Sequence, residues 1–144
     1  MRKLTYKVIS LLVIFVFTIS LFGCEQESPK VWWDECKVTR GLIPELIPEE
    51  FTLTVDQEIT LEEMIVNYPF IPATDEELDA MEKFYGGYVY HVEFQSNVTV
   101  HSWHFTPNAI THKVLENGEE VKVNKYLPDS SFVNELSKLL QPIG

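Results

Sequence analysis

Apolar residues run without a charge from Val8 to Phe22, and beyond that stretch the hydrophobic positions fall into short periodic blocks. Phe51-Thr52-Leu53-Thr54-Val55 alternates with the two-residue period of a strand. Leu61, Met64, Ile65 and Tyr68 then recur at helical spacing. Thr60 with Glu63 supplies a capping box at the front of that segment, and Pro69 closes it. A second box, Thr74 with Glu77, opens another helix that turns Leu78, Met81 and Tyr85 inward and stops at Gly86-Gly87.

After the glycines the period changes from 3.6 to 2. Residues 88–94, 98–105, 110–115 and 120–126 read as four strands. Asn117-Gly118 is a two-residue hairpin signal; with that turn Val114 faces Val121, His112 faces Val123, and Lys113 meets Lys122. After Pro128-Asp129, the residues Phe132, Val133, Leu136, Leu139 and Leu140 line one face of a last helix. Ser130 and Ser131 are its expected N-caps and Pro142 its stop. The fold class implied is α+β: a largely antiparallel four-stranded meander, two helices before it, one C-terminal helix, and a short N-terminal strand, with the helices on one sheet face.

Residues 31–50 resist periodic reading. Trp32, Trp33 and Gly41 are followed by the near-duplicate Leu42-Ile43-Pro44-Glu45 and Leu46-Ile47-Pro48-Glu49, and prolines four apart call for extended backbone rather than helix.

The front of the chain reads as an address. Arg2, Lys3 and Lys7 precede the apolar stretch, whose 15 residues (8–22) fall short of the roughly 20 that a helical span needs. The stretch ends in Leu21-Phe22-Gly23-Cys24, which resembles the lipobox of bacterial lipoproteins, with Phe22 departing from the usual small or aliphatic residue. The resemblance implies cleavage before Cys24 and a diacylglycerol on its sulfur. Two acyl chains make such an attachment lasting. The expected organisation is a signal peptide (1–23), a lipidated Cys24 with a short tether (24–30), and a single domain (31–144) at the extracytoplasmic face of a membrane.

Charge narrows the partners. Loss of residues 1–23 removes three of the 11 basic residues and none of the 22 acidic ones, leaving 8 against 22, a formal charge of −14. Nucleic acid is excluded as an expected partner, because binding phosphates needs a basic footprint. With Cys24 lipidated, Cys36 has no partner in the chain. Burial, an intermolecular disulfide and a reactive thiol are the alternatives, and its neighbours Asp34 and Glu35 favour the structural role by opposing thiolate formation.

Candidate chemistry centres on His91, His101 and His104, since neutral imidazole is the commonest metal ligand. If Ser96 and Asn97 form a two-residue loop, His91 faces Ser102, and His91, His104 and Glu93 share one sheet face as a candidate Zn²⁺ or Cu²⁺ site. A three-residue loop moves His104 to the other face and leaves His91 near His101. In the two-residue register Tyr88, Tyr90, Val92, Phe94, Trp103 and Phe105 form the core face, with His101 among them. His112 is expected as a hydrogen-bonded, partly buried imidazole. The carboxylates Glu62, Glu63, Asp75, Glu76, Glu77 and Asp79 fall in helix first turns and are assigned to capping and solvation. Trp32 and Trp33 are candidate partner-binding residues, with core packing as the competing role.

No nucleophile elbow, His-Glu-X-X-His motif or phosphate-binding glycine loop occurs, so no catalytic residue is assigned. The expectation is a non-enzymatic binding module that meets an envelope protein, peptide or glycan. A metal-binding accessory lipoprotein is the alternative, and a hydrolase a lesser one.

Overall fold

In the computed structural model, which describes residues 30–43 and 47–141, two capping boxes set the helix starts. Helix α1 spans Val55–Asn67 and α2 spans Asp75–Ala80; α3 spans Ser130–Leu139. The strands are β1 (Glu35–Ile43), β2 (Glu49–Phe51), β3 (Gly87–Gln95), β4 (Thr99–Phe105), β5 (Ile110–Glu116) and β6 (Glu119–Tyr126). They form one antiparallel sheet in the order β2-β1-β3-β4-β5-β6. The fold is α+β, and the chain from Val31 on is one compact unit. The signal segment, Cys24, Pro44 and Pro142 lie outside the described residues. Among those described, no helix is long and apolar enough to cross a membrane.

The four expected strands are present as β3 to β6, but the sheet has six. The stretch read simply as extended contains β1, which pairs with β3 along its whole length and with β2 on its other side. Cys36 and Val38 on β1 point to the core face while Lys37 and Thr39 point away, so the alternation was present but short. The strand expected at 51–55 is displaced: β2 ends at Phe51, and Val55 is already helical. Thr54, not Thr60, caps α1. Its hydroxyl accepts from the Gln57 amide, and the Gln57 side chain accepts from the Thr54 amide. Thr60 lies inside the helix and donates to the Asp56 carbonyl at 2.8 Å. Both Thr-X-X-Gln and Thr-X-X-Glu satisfy the motif, and the earlier one prevails by adding more than a turn of helix, including half-buried Ile59.

Helix α2 starts at Thr74 as expected but ends at Ala80, because Met81 is extended. Leu78 is buried, whereas Tyr85, expected inward, is 96% exposed. Gly86 and Gly87 take φ of 128° and 101° beyond the helix, where they turn the chain into β3. In α3 the cap is Asp129 rather than a serine: its carboxylate accepts from the Phe132 amide and from the Tyr68 hydroxyl.

Both hairpin registers need correction. The β3–β4 turn is Asn97-Val98, closed by Ser96 and Thr99, so His91 pairs with His104 directly and Glu93 with Ser102. Asn117 (φ 51°) and Gly118 (φ 83°) form the β5–β6 turn as expected. A bulge after the first two rungs then shifts the partners, so that Val114 meets Lys122, Lys113 meets Val123, and His112 meets Asn124.

The apolar side of α1 (Leu61, Ile65) and of α3 (Phe132, Leu136), with the C-cap residue Leu140, closes over one sheet face. That face contributes Val38, Tyr90, Val92, Phe94, Trp103, Phe105 and Ile110. Each such side chain, removed from water, contributes about 1.5–3 kcal/mol. The opposite sheet face is not covered by α1 or α3; the start of α2 borders its β5–β6 part, where Asp75 pairs with Lys125. Its central rungs read Thr39-His91-His104-Thr111-Lys125 and Lys37-Glu93-Ser102-Lys113-Val123.

Candidate functional site

All four histidines of the chain stand in cross-strand pairs, one pair on each face of the sheet. On the helix-covered face, His101 (β4) and His112 (β5) are diagonal neighbours, and Nδ1 of His101 lies 3.0 Å from Nε2 of His112. The amide nitrogen of Asn124, which can only donate, lies 3.3 Å from Nδ1 of His112. The His112 proton therefore sits on Nε2 and is given to His101, whose own proton is left on Nε2. The Trp103 ring stacks on His112 at 3.9 Å and 7°. Burial, then the proximity of His101 and Lys122, pushes the His112 pKa down to about 4. Burial also lowers His101, against the opposing charge of Glu62. Both imidazoles are neutral at neutral pH.

These groups line a cleft of about 260 Å³ with Trp32, Glu62, Ile65, Val66 and Phe94. Trp32 closes one side: it is 43% exposed, and its ring meets Trp33 edge-on at 5.6 Å and His101 at 4.9 Å. The tryptophans are anchored by α1, on which Glu58 and Glu62 share a face. Nε1 of Trp33 donates to Glu58 at 3.1 Å and Nε1 of Trp32 to Glu62 at 3.4 Å. Trp33, 6% exposed and 4.9 Å from Phe94, belongs to the core, which leaves Trp32 as the exposed member of the pair. Glu62, assigned in sequence to a helix first turn, is mid-helix and faces the cleft. His112, given no function, forms part of its floor. Neither role was visible in sequence, because it depends on the docking of α1 and on the β4–β5 register.

The open face carries the expected group His91, Glu93 and His104. The two rings lie 4.2 Å apart, and Nε2 of His91 is 2.9 Å from the Ser102 hydroxyl and 3.6 Å from Glu93. His104 is exposed on its strand, with a pKa lowered first by partial burial and then by His91 and Lys113. Among the described residues no group of three or more His, Cys, Asp or Glu side chains is placed to hold a metal ion as it stands. Cys36 is half-buried, with its thiol pushed up to about 12 by burial and Glu58, which makes it inert rather than nucleophilic.

A larger hollow of about 420 Å³ lies between Phe84, Tyr88, Pro107 and the start of α3. Its lining is apolar apart from Thr106, Asp129 and Ser130, and Asp129 is already used by Phe132 and Tyr68. Comparison of the chain with models of known families, with curated proteins and with solved structures finds no match.

Proposed function

We propose that this chain is a lipid-anchored, extracytoplasmic binding module that takes a group presented by an envelope partner into the cleft behind Trp32. One observation carries the reading: a half-exposed indole stands over a hollow floored by Trp103 and the neutral pair His101 and His112, with the Glu62 carboxylate at its rim. Aromatic walls with a few converging polar groups are the usual make-up of a ligand pocket. His101 offers a proton on Nε2 and Glu62 offers acceptor oxygens. The complementary group is therefore a planar or aliphatic moiety bearing both a hydrogen-bond donor and an acceptor, as in a peptide segment or a sugar ring.

The Leu21-Phe22-Gly23-Cys24 box supports the placement; the formal charge of −14 after cleavage repels the domain from an anionic bilayer, so the lipid alone would hold it there. The full chain, expressed with its leader and extracted in detergent, tests both parts. Mass spectrometry should find a diacylglyceryl-modified Cys24 at the N-terminus. Cross-linking in the envelope should capture a component that Trp32→Ala loses while circular dichroism stays unchanged. An unmodified mature N-terminus rejects the anchor. Capture that Trp32→Ala and His101→Asn leave intact rejects the cleft.

A further inference from the structure

The open face of the sheet holds a second candidate site, on the side away from the cleft and independent of it. Its members are His91, directly across from His104 on the central β3–β4 pair, and Glu93, two residues along the same face of β3. A strand directs residues two apart to one side, so all three side chains share that face.

The distances are close to those of coordination. Metal–nitrogen bonds of about 2.0–2.1 Å put two imidazoles bound side by side on one ion with centres roughly 4.5–5 Å apart and donor atoms roughly 3–3.4 Å apart. The His91 and His104 rings are 4.2 Å apart and tilted by 32°, and His91 Nε2 is 3.6 Å from a Glu93 oxygen. Bringing two nitrogens and one oxygen onto a shared ion requires the two rings to part, His91 Nε2 to leave Ser102 and the Glu93 carboxylate to swing inward. His104 is exposed, so water reaches the remaining positions.

The surroundings permit a cation. Lys37 and Lys113 flank Glu93 and Ser102 on the same rung, but Lys37 is paired with Glu35 at 3.3 Å and Lys113 with Glu120 at 2.9 Å. Thr39 and Thr111 border the histidines as small polar neighbours. Ser102, which now bonds His91, is placed to bond the carboxylate or a bound water instead.

We infer that His91, His104 and Glu93 bind a divalent transition-metal ion on the open sheet face, Cu²⁺ most tightly and Zn²⁺ less so. Two imidazoles and a carboxylate suit both ions, and copper(II) stands above zinc for any such donor set. The cleft around Trp32 contributes no donor to it.

The test is electron paramagnetic resonance of the full chain loaded with one equivalent of Cu²⁺ at pH 7.5, beside a titration that follows binding. The expected spectrum shows coupling to two imidazole nitrogens. His104→Asn, at an exposed position, should remove one nitrogen and weaken binding roughly tenfold or more. Glu93→Gln should weaken it with both nitrogens retained. His101→Asn and Trp32→Ala should leave the spectrum alone, so that failure of the cleft reading and failure of this one remain distinct. A spectrum unchanged in the His91→Asn/His104→Asn double variant, or no copper retained at one equivalent, overturns the inference. So does a nitrogen coupling that disappears with His101→Asn instead.

Discussion

Nδ1 of His101 lies 3.0 Å from Nε2 of His112, and that bond joins two neutral imidazoles beneath the exposed ring of Trp32. The pair carries a pH signature. His112 falls from 6.5 in the unfolded chain to about 4 in the folded one, so the native state binds fewer protons between these values. Its contribution to stability is then complete above about pH 6.5 and is lost as pH falls toward 4, up to about 3 kcal/mol. Urea midpoints at pH 7.5 and pH 4.5 should differ less in His112→Gln than in the parent chain. An equal difference in both would place the pH dependence elsewhere.

The two adjacent tryptophans should respond differently to truncation. Trp33→Ala removes a core ring and strands Glu58, and is expected to cost about 3–5 kcal/mol. Trp32→Ala removes a half-exposed ring and should cost about 1 kcal/mol while opening the cleft. Thermal melts of the two variants measure the contrast, and equal losses would mean that Trp32 is also a core residue.

Asp129 holds two elements at once, as the cap of α3 and as acceptor for Tyr68 at the end of α1. Asp129→Ala should destabilise the fold by about 1–2 kcal/mol. It should also bring the Tyr68 hydroxyl, now raised by that carboxylate, back toward the ordinary tyrosine range. Ultraviolet titration of the tyrosines reads the second effect, and no change in it would remove Asp129 as the cause.

Cys36 should be a poor nucleophile. With its thiol at about 12, about one molecule in ten thousand carries a thiolate at pH 8. In a Cys24→Ser chain, where Cys36 is the sole thiol, native protein should react with a disulfide reagent at least a hundredfold more slowly than urea-unfolded protein. Comparable rates would contradict the burial.

Much of the strand and helix content was legible in order because local periodicity and turn chemistry carry it. The alternation in 88–126, the Asn117-Gly118 turn and the Thr74 box each depend on a few neighbouring residues, and all appear in the structure. The two-face division of the β3–β4 hairpin also held, with His91, Glu93 and His104 on one side and the aromatics on the other. A two-residue turn keeps that division even when it moves by one residue along the chain, as it does from Ser96-Asn97 to Asn97-Val98.

What the chain alone determined, then, was class, strand polarity and the identity of the core face, because these follow from residues close in sequence. The partners across those strands came from the tertiary structure: His91 against His104, Lys113 against Val123 beyond a bulge, and His101 diagonal to His112. Register is settled by how a sheet packs under its helices and by where one residue is left over. The placement of Trp32, Trp33 and Glu62 was decided in the same way. Two adjacent tryptophans are equivalent in sequence until α1 docks and Glu58 and Glu62, one turn apart, draw one ring inside and leave the other at the mouth of the cleft.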